Sequence, residues 1–309
     1  MKNIYKVQWF LFSLIVMFSC NNDKHLLTDT VTTGTITVVA DETYQPLLDS
    51  EKMVFEAHYP EAHINIIYKP AIEVLKEFDN DSVRMIISSV HPDSNILKKY
   101  FQAHEYYPNV TIIAKDAVAI VANNTKKGLK ISVPELAKIC EGNITNYNQL
   151  KNSTFSGKIN LVFDNNQSST LLYIQDSILK GNAITSQAYA QKTNLEVLNY
   201  VKSHSDALGI IGVNWVSDNA DEENLAFRKD IFPVEISSSD TALYHYSPHQ
   251  GYIATHLYPM RRYMQSTLKE GGPALGRGFL NFMCGDIGQK IVLKSGLVPA
   301  KALTRVVQM

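Results

Sequence analysis

The 309-residue sequence has little of what marks several protein classes. It contains only three cysteines, 15 glycines and 11 prolines, so a disulfide scaffold, a collagen-like repeat and wholesale disorder are excluded. The net charge is −1 and no basic run occurs, so the electrostatic signature of nucleic-acid binding is missing. No apolar stretch reaches the ~20 residues that span a bilayer as a helix. We expect the bulk of the chain to be soluble.

Motifs of enzymes and metal sites are also missing. The sequence has no G-x-S-x-G, H-E-x-x-H or Walker A motif, and no G-x-G-x-x-G follows the first predicted strand. His245 and His249 are four residues apart, but Pro248 interrupts any helix that would bring them together. Asp79 and Asp81 lack the glycine and terminal glutamate of a calcium loop. We therefore predict no cofactor, no metal site and no enzymatic activity.

The N-terminus differs from the rest of the chain. Lys2 and Lys6 precede an apolar run, Trp9–Phe18, which ends at Ser19 and Cys20. This pattern predicts a secretory signal, and it resembles a bacterial lipoprotein signal that is cleaved before Cys20, with lipidation of that cysteine. The alternative is an unlipidated signal with an incidental cysteine. We expect a periplasmic or cell-surface protein that is anchored to the membrane through Cys20. Cleavage of residues 1–19 would change the net charge from −1 to −3.

The two remaining cysteines, Cys140 and Cys284, carry no recognisable chemistry. They are too far apart for a metal-binding spacing or a C-x-x-C redox motif. Both follow apolar segments, which favours core positions. Whether they pair as a disulfide is left open, because an oxidising compartment would permit it.

Hydrophobic periodicity predicts two α/β series along the chain. The first has strands Thr35–Ala40, Ile64–Tyr68, Val83–Ser88 and Val110–Ala114, and helices Gln45–His58, Ala71–Phe78 and Asn95–Ala103. The second has strands Ala117–Ala122, Ile159–Phe163, Ala207–Gly212, Phe232–Ile236 and Tyr252–Thr255, and helices Val133–Cys140, Ser169–Leu179, Leu195–Ser203, Pro273–Met283 and Ile287–Ser295. The alternation is typical of a parallel sheet covered by helices.

The simplest architecture for these elements is α/β with two lobes. We predict a signal peptide at 1–19 and a polar tether at 20–34. The first lobe would span 35–114 and the second 115–234, and residues 235–309 would return to the first lobe. The polar tether is rich in threonine, as expected for a linker between an anchor and a folded body.

Hydroxyl residues cluster where predicted strands end and helices begin. The clusters are Thr43 with Tyr44, Ser88 with Ser89, and Ser168, Ser169 and Thr170. In open α/β sheets, ligands bind beyond the carboxyl ends of the strands, where helix N-termini also offer free N–H donors. Three such loops could surround a small oxyanion with neutral donors. The alternative is that these residues are ordinary helix N-caps.

Several segments together resemble one family. They are GTITVVADETYQP (34–46), KDAVAIVAN (115–123), SST (168–170), ALGIIGVNW (207–215), YPMRR (258–262) and GQKIVLKSGLVP (288–299). In this order they resemble the phosphate-binding lipoproteins of Pst-type ABC transporters, in the form found in Bacteroidetes-like bacteria. The resemblance implies a type II periplasmic-binding fold with the ligand cleft between its lobes. It also implies three anion loops, formed by Thr43 with the Tyr44 amide, by Ser88 and Ser89, and by Ser168, Ser169 and Thr170.

The chain departs from this family at two site positions. Better-known members have an aspartate in the second loop and an arginine four residues before the Ser-x-Thr triplet, whereas this sequence has Ser88-Ser89 and Asp164. An unpaired carboxylate beside a dianion is costly in a low-dielectric site. Asp164 should therefore either cap the following helix or accept a proton from the ligand. The compensating positive charge would come from Arg84, Arg261 or Arg262.

The resemblance implies a receptor that captures inorganic phosphate and delivers it to an ABC transporter permease by closing its lobes over the ligand. We expect a monomer. Two alternatives stay open: the same fold could bind another small oxyanion or act as a phosphate sensor without a transporter, or the chain could be an exported serine hydrolase that uses one of the serine loops.

Overall fold

The computed structural model describes residues 29–184, 188–217 and 229–301. The predicted signal, Cys20 and most of the tether lie outside the described residues, so their assignment stays a prediction. None of the helices in the described ranges is long and apolar enough to cross a membrane.

The first lobe begins with three parallel strands, β1 (Gly34–Asp41), β2 (Ala62–Lys69) and β3 (Val83–Ser88), with β1 in the middle. Its helices are α1 (Gln45–His58), α2 (Ala71–Lys76) and α3 (Ser94–His104). The central strand is buried on both faces: Ile36 and Val38 belong to the main core, whereas Val39 packs in a smaller cluster beneath α2 and α3. This two-sided cover explains the β-branched run of β1.

A single long strand, β4 (Asn109–Asn123), connects the two lobes. Its first half pairs with β11 (Arg261–Leu268) and β12 (Val298–Pro299), and its second half pairs with β8 (Ala207–Gly212) and β9 (Ile231–Pro233). The prediction of two strands separated at Lys115-Asp116 was therefore wrong. The buried Asp116 carboxylate is paired with other side chains, so the charge does not interrupt the strand.

Strand β11 was not predicted, and it changes the sheet. It lies between β3 and β4 and is antiparallel to both, so the sheet, which has ten strands in the described part of the chain, is mixed rather than parallel. Its sequence begins with Arg261-Arg262 and contains Gln265. These polar residues break the pattern of apolar residues by which a strand is predicted. Arg262 is nevertheless buried, because a carboxylate neutralises it.

The second lobe contains the parallel strands β6 (Asn160–Phe163), β7 (Ala188–Ala190) and β8, with β6 in the middle. Its helices are α4 (Val133–Cys140), α5 (Ser169–Tyr173), α6 (Asn194–Ser203) and α7 (Asn214–Ser217). The predicted helix Ser169–Leu179 is split, since α5 continues as a π-helical turn, Ile174–Ile178.

Two further elements differ from their predictions. The expected strand Phe232–Ile236 is divided into β9, which joins β4, and β10 (Glu235–Ser237), which pairs with β5 (Lys130–Ser132). Residues 235–237 therefore pair with residues 130–132, and β11 is the later strand that joins the sheet between β3 and β4. The predicted bounds of the two lobes stay a prediction. The expected strand Tyr252–Thr255 is a short helix, α8 (Gln250–Ala254), because the His249 ring accepts a hydrogen bond from the Gly251 N–H and caps it.

The closing helices α9 (Leu275–Met283) and α10 (Asp286–Lys294) pack on the first lobe beside α1. Phe55 of α1 meets Phe279 and Phe282 edge to face, with ring centroids 5.2 and 5.3 Å apart. Cys140 and Cys284 are both free thiols. Burial raises the pKa of Cys140 to about 12, which keeps this thiol protonated and unreactive at neutral pH.

Candidate anion-binding site

Two of the three hydroxyl loops meet between the lobes. Thr43 follows β1 in the first lobe and Ser169 begins α5 in the second, and their hydroxyl oxygens are 3.3 Å apart. Both side chains are buried. Because residues 126 positions apart touch here, the first and third loops form one site at the lobe interface.

The second loop reaches this site through a carboxylate. Asp41 Oδ1 accepts a hydrogen bond from the Thr43 N–H at 3.0 Å, and Asp41 Oδ2 accepts one from the Ser88 hydroxyl at 3.3 Å. Ser89 is half-buried and lies beside Tyr44. The Tyr44 side chain is fully buried, and burial raises its pKa well above the usual value. Ser88 thus contacts the site by way of Asp41.

The third loop holds Asp164 in place. Thr170 Oγ1 donates to Asp164 Oδ1 at 2.6 Å, and Asn194 Nδ2 donates to Asp164 Oδ2 at 3.1 Å. Ser168 Oγ is 2.9 Å from Thr170 Oγ1 and accepts from the Leu171 N–H, which caps α5. Burial raises the pKa of Asp164 to about 6, although the hydrogen bonds from Ser168 and Thr170 oppose the rise.

A second carboxyl with a raised pKa lies close by. The Asn165 amide of the second lobe donates to the Glu42 carboxylate of the first. Burial and the negative charges of Asp164 and Asp41 raise the pKa of Glu42 to about 7. Near neutral pH, this part of the site therefore binds and releases protons readily.

The positive charge at the site is supplied by Arg262. Its Nε donates to Asp116 Oδ2 at 2.6 Å, and its Nη1 donates to Ser169 Oγ at 3.0 Å. Tyr44 OH donates to the same Asp116 oxygen at 2.9 Å. Burial alone would lower the pKa of Arg262, but the surrounding negative charges, that of Asp116 foremost, outweigh it and raise the pKa above its usual value.

The other two arginines named as sources of charge are placed differently. Arg84 forms ion pairs of 2.5 Å with both Asp29 and Glu270, so its charge is neutralised outside the hydroxyl loops. Arg261 is half-buried, and its Nε bonds to nothing in the described part of the chain.

Further hydrogen bonds connect the lobes around the site. Asn214 Nδ2 and Trp215 Nε1 of the second lobe both donate to the Thr43 carbonyl at 2.9 Å. The Ile72 N–H of the first lobe donates to the Gln167 carbonyl of the second at 3.3 Å. These contacts describe two lobes that are closed on each other.

The sequence pattern missed Asp41, Asp116, Asn194 and Asn214 as site residues. Asp116 offered one signal, since it is an isolated acid inside an otherwise apolar stretch, but it was left between two predicted strands. The residue ranges that the structure covers contain no group of three histidine, cysteine or acidic residues arranged to hold a metal ion.

A two-lobed α/β fold with polar loops at the lobe interface defines the periplasmic-binding class of protein. Residues 28–286 match the family model of a PBP superfamily domain, and the chain belongs to that superfamily. No curated protein sequence matches this chain significantly.

Solved structures show the same fold. One is a Clostridium perfringens protein described as a phosphate ABC transporter substrate-binding protein with bound phosphate; it has 17% sequence identity and a TM-score of 0.67, over 87% of this chain and 100% of that chain. Another is an ABC-type phosphate transport receptor from Vibrio cholerae, at 15% identity and a TM-score of 0.61, over 86% and 99% of the two chains. A phosphate-binding protein from Stenotrophomonas maltophilia has 15% identity and a TM-score of 0.62, over 88% and 91%.

Proposed function

We propose that this protein is an extracytoplasmic solute receptor that captures inorganic phosphate and passes it to an ABC transporter permease. The observation that carries the proposal is the convergence of Thr43, Ser169 and Arg262 between the lobes. Hydroxyl and guanidinium donors from both lobes are the groups that bind an oxyanion, and charge-assisted hydrogen bonds are the strongest among them. Structures with the same fold include proteins described as phosphate receptors of such transporters.

The carboxyl groups make anion binding depend on pH. With pKa values of about 6 and 7, Asp164 and Glu42 are partly protonated near neutral pH, and a nearby anion favours their protonated forms further. Binding of phosphate is therefore accompanied by proton uptake, and it strengthens as the pH falls towards 6.

Capture requires no covalent step in this proposal. The lobes close over the anion and remove water, and the donors hold it by hydrogen bonds alone. The serine hydrolase alternative finds no support at the loops: in the described ranges Ser88 bonds to Asp41, Ser168 to Thr170, and Ser169 to Thr43 and Arg262, and none of these serines bonds to a histidine.

Calorimetric titration of the purified protein with phosphate and then sulfate at pH 7 tests the proposal. We expect heat with phosphate and none with sulfate. Ser169→Ala removes a hydroxyl at the lobe interface and should weaken phosphate binding by ~1–3 kcal/mol. Ser203→Ala is the control, since Ser203 is an exposed serine of the same lobe. Absence of phosphate binding by the unmodified protein would overturn the proposal.

We further propose that the receptor is a monomer attached to the membrane by a lipid on Cys20. The support is the N-terminal sequence, a short apolar run followed by Ser19-Cys20. Cys20→Ser should release the protein from membranes and leave its melting temperature unchanged. Fractionation after a salt wash measures this, and a variant that stays with the membranes would contradict the lipid anchor.

A further inference from the structure

Arg262 leaves one buried donor without a partner. Its side chain is 5% exposed, and Nε and Nη1 are bonded to Asp116 and Ser169, but Nη2 has no hydrogen-bond partner among the described residues. A buried charged donor without a partner loses its hydration and gains nothing in return. A ligand atom at hydrogen-bond distance would satisfy this donor.

Asn214 leaves a buried acceptor without a partner in the same place. Its Nδ2 donates to the Thr43 carbonyl, so the orientation of the amide is set and Oδ1 is the oxygen. This Oδ1 is buried and has no hydrogen-bond partner in the described part of the chain. An amide oxygen can only accept, so its partner must bring a proton.

The two unpartnered atoms both lie close to Gly212. A β-carbon on Gly212 would lie 3.3 Å from Arg262 Nη2, 3.0 Å from Asn214 Oδ1 and 2.4 Å from Thr43 Cγ2. No other residue fits here without displacing Thr43. Glycine therefore lets a donor and an acceptor approach the first anion loop together.

We propose that Arg262 Nη2 and Asn214 Oδ1 bind the ligand as a donor–acceptor pair, selecting an oxyanion that carries a proton. The inference rests on the proposed function and assigns the residues that provide its charge and its selectivity. Arg262 Nη2 donates to an ionised oxygen of the ligand. It thereby replaces the arginine that the family resemblance predicts at position 164. Asn214 Oδ1 accepts a hydrogen bond from a P–OH group of the ligand. It thereby replaces the aspartate that the family resemblance predicts in the second loop.

The charges at the site are consistent with this assignment. Asp116 neutralises Arg262 through a hydrogen bond to Nε, and Nη2 has no hydrogen-bond partner among the described residues. Asp164 is occupied by Thr170 and Asn194, so it holds the third loop instead of competing for the guanidinium. The direct contact between Thr43 and Ser169 is the one that an anion between the loops would replace.

Two variants test the pair with inorganic phosphate and sulfate as probes. Arg262→Lys keeps the charge beside Asp116 but cannot present two N–H donors in a fork. Asn214→Leu removes the acceptor, and the Thr43 carbonyl keeps Trp215 Nε1 as a donor. We expect phosphate affinity to fall about tenfold or more in each. In Asn214→Leu, the preference for phosphate over sulfate should shrink by at least the same factor, because an unpaired acceptor is what rejects a ligand without a proton.

Arg84→Lys is the matched control, since Arg84 is also partly buried in an ion pair but lies outside the hydroxyl loops. Calorimetry on the full chain measures affinity, and thermal unfolding reports whether each variant is folded. Suppose that the unmodified protein binds phosphate and that Asn214→Leu keeps its phosphate affinity within twofold and its preference over sulfate. That result would overturn the assignment of Arg262 and Asn214 as the ligand-binding pair and would leave the proposed function in place. Unmodified protein that does not bind phosphate would overturn both.

Discussion

Two buried carboxyl groups of this protein differ in their hydrogen-bond partners. Asp164 accepts hydrogen bonds from Thr170 and Asn194, and its pKa rises only to about 6. Glu51, on α1, is fully buried, neither of its carboxyl oxygens has a partner in the described residues, and burial raises its pKa to about 8. Donors to the ionised form lower a carboxyl pKa, and burial without donors raises it.

Glu51 makes the stability depend on pH. Its pKa is about 8 in the folded state against an ordinary 4.5, so its contribution is fully present below pH 4.5 and is lost as the pH rises to about 8. We expect this group to lower the free energy of unfolding by roughly 3 kcal/mol between pH 5 and pH 8. Glu51→Gln should lack that loss. Chemical denaturation of both proteins at the two pH values measures it, and an equal pH dependence would contradict the assignment.

Thr170 provides the donor that keeps the Asp164 carboxylate ionised. Thr170→Val preserves the shape and removes the O–H, so we expect the free energy of unfolding at pH 8 to fall by ~1–3 kcal/mol. Because losing the donor raises the folded pKa of Asp164 above its value of about 6, the destabilisation should fade as the pH falls through about 6 and should be small at pH 4, where the carboxyl is protonated in the folded state of both proteins. Denaturation at both pH values, with the exposed Thr241→Val as control, checks this.

At the scale of elements, strand β8 is packed without spare room between β4 and α6. A β-carbon on Gly209 would lie 2.8 Å from a methyl carbon of Val121 in β4 and 2.8 Å from one of Val201 in α6. Glycine in the middle of a strand is unfavourable by itself, and here it permits the close approach of a helix.

Gly209→Ala should therefore destabilise the second lobe. We expect the free energy of unfolding to fall by ~1–3 kcal/mol, because the added methyl group overpacks a buried sheet. Gly272→Ala is the control, since a β-carbon there meets no atom within 4 Å. Thermal and denaturant unfolding measure the difference, and equal stability of the two variants would show that β8 and α6 can move apart at no cost.

At the scale of the whole molecule, the lobes are connected by β4 and by hydrogen bonds across the cleft. Trp215 Nε1 donates from the second lobe to the Thr43 carbonyl in the first, so the closed state gains a bond that an open state would lack. Binding that requires closure must therefore become weaker when this bond is removed.

Trp215→Phe tests this coupling. We expect phosphate affinity to fall by roughly fivefold, equivalent to about 1 kcal/mol, because one hydrogen bond of the closed state is lost while the ring is largely preserved. Tyr244→Phe, at an exposed position, is the control. Calorimetry measures both affinities, and an unchanged affinity in Trp215→Phe would mean that the contact with Thr43 does not contribute to closure.

Local sequence was sufficient for much of the secondary structure. The helices Gln45–His58 and Val133–Cys140 and the strands Val83–Ser88 and Ala207–Gly212 were predicted with the bounds that the structure has. Periodicity and capping act between residues that are close in sequence, so a pattern can show them. The resemblance of short segments likewise led to the family.

The tertiary structure alone placed β11 in the sheet and Arg262 at the site. Arg262 is buried only because Asp116, 146 residues away, neutralises it, and Asn214 faces Thr43 across 171 residues of chain. Neither pair leaves a local pattern, since a charged residue in a strand normally indicates an exposed position. The energy of burying a charge depends on which strands become neighbours, and the order of strands in a sheet is decided by the packing of the whole chain.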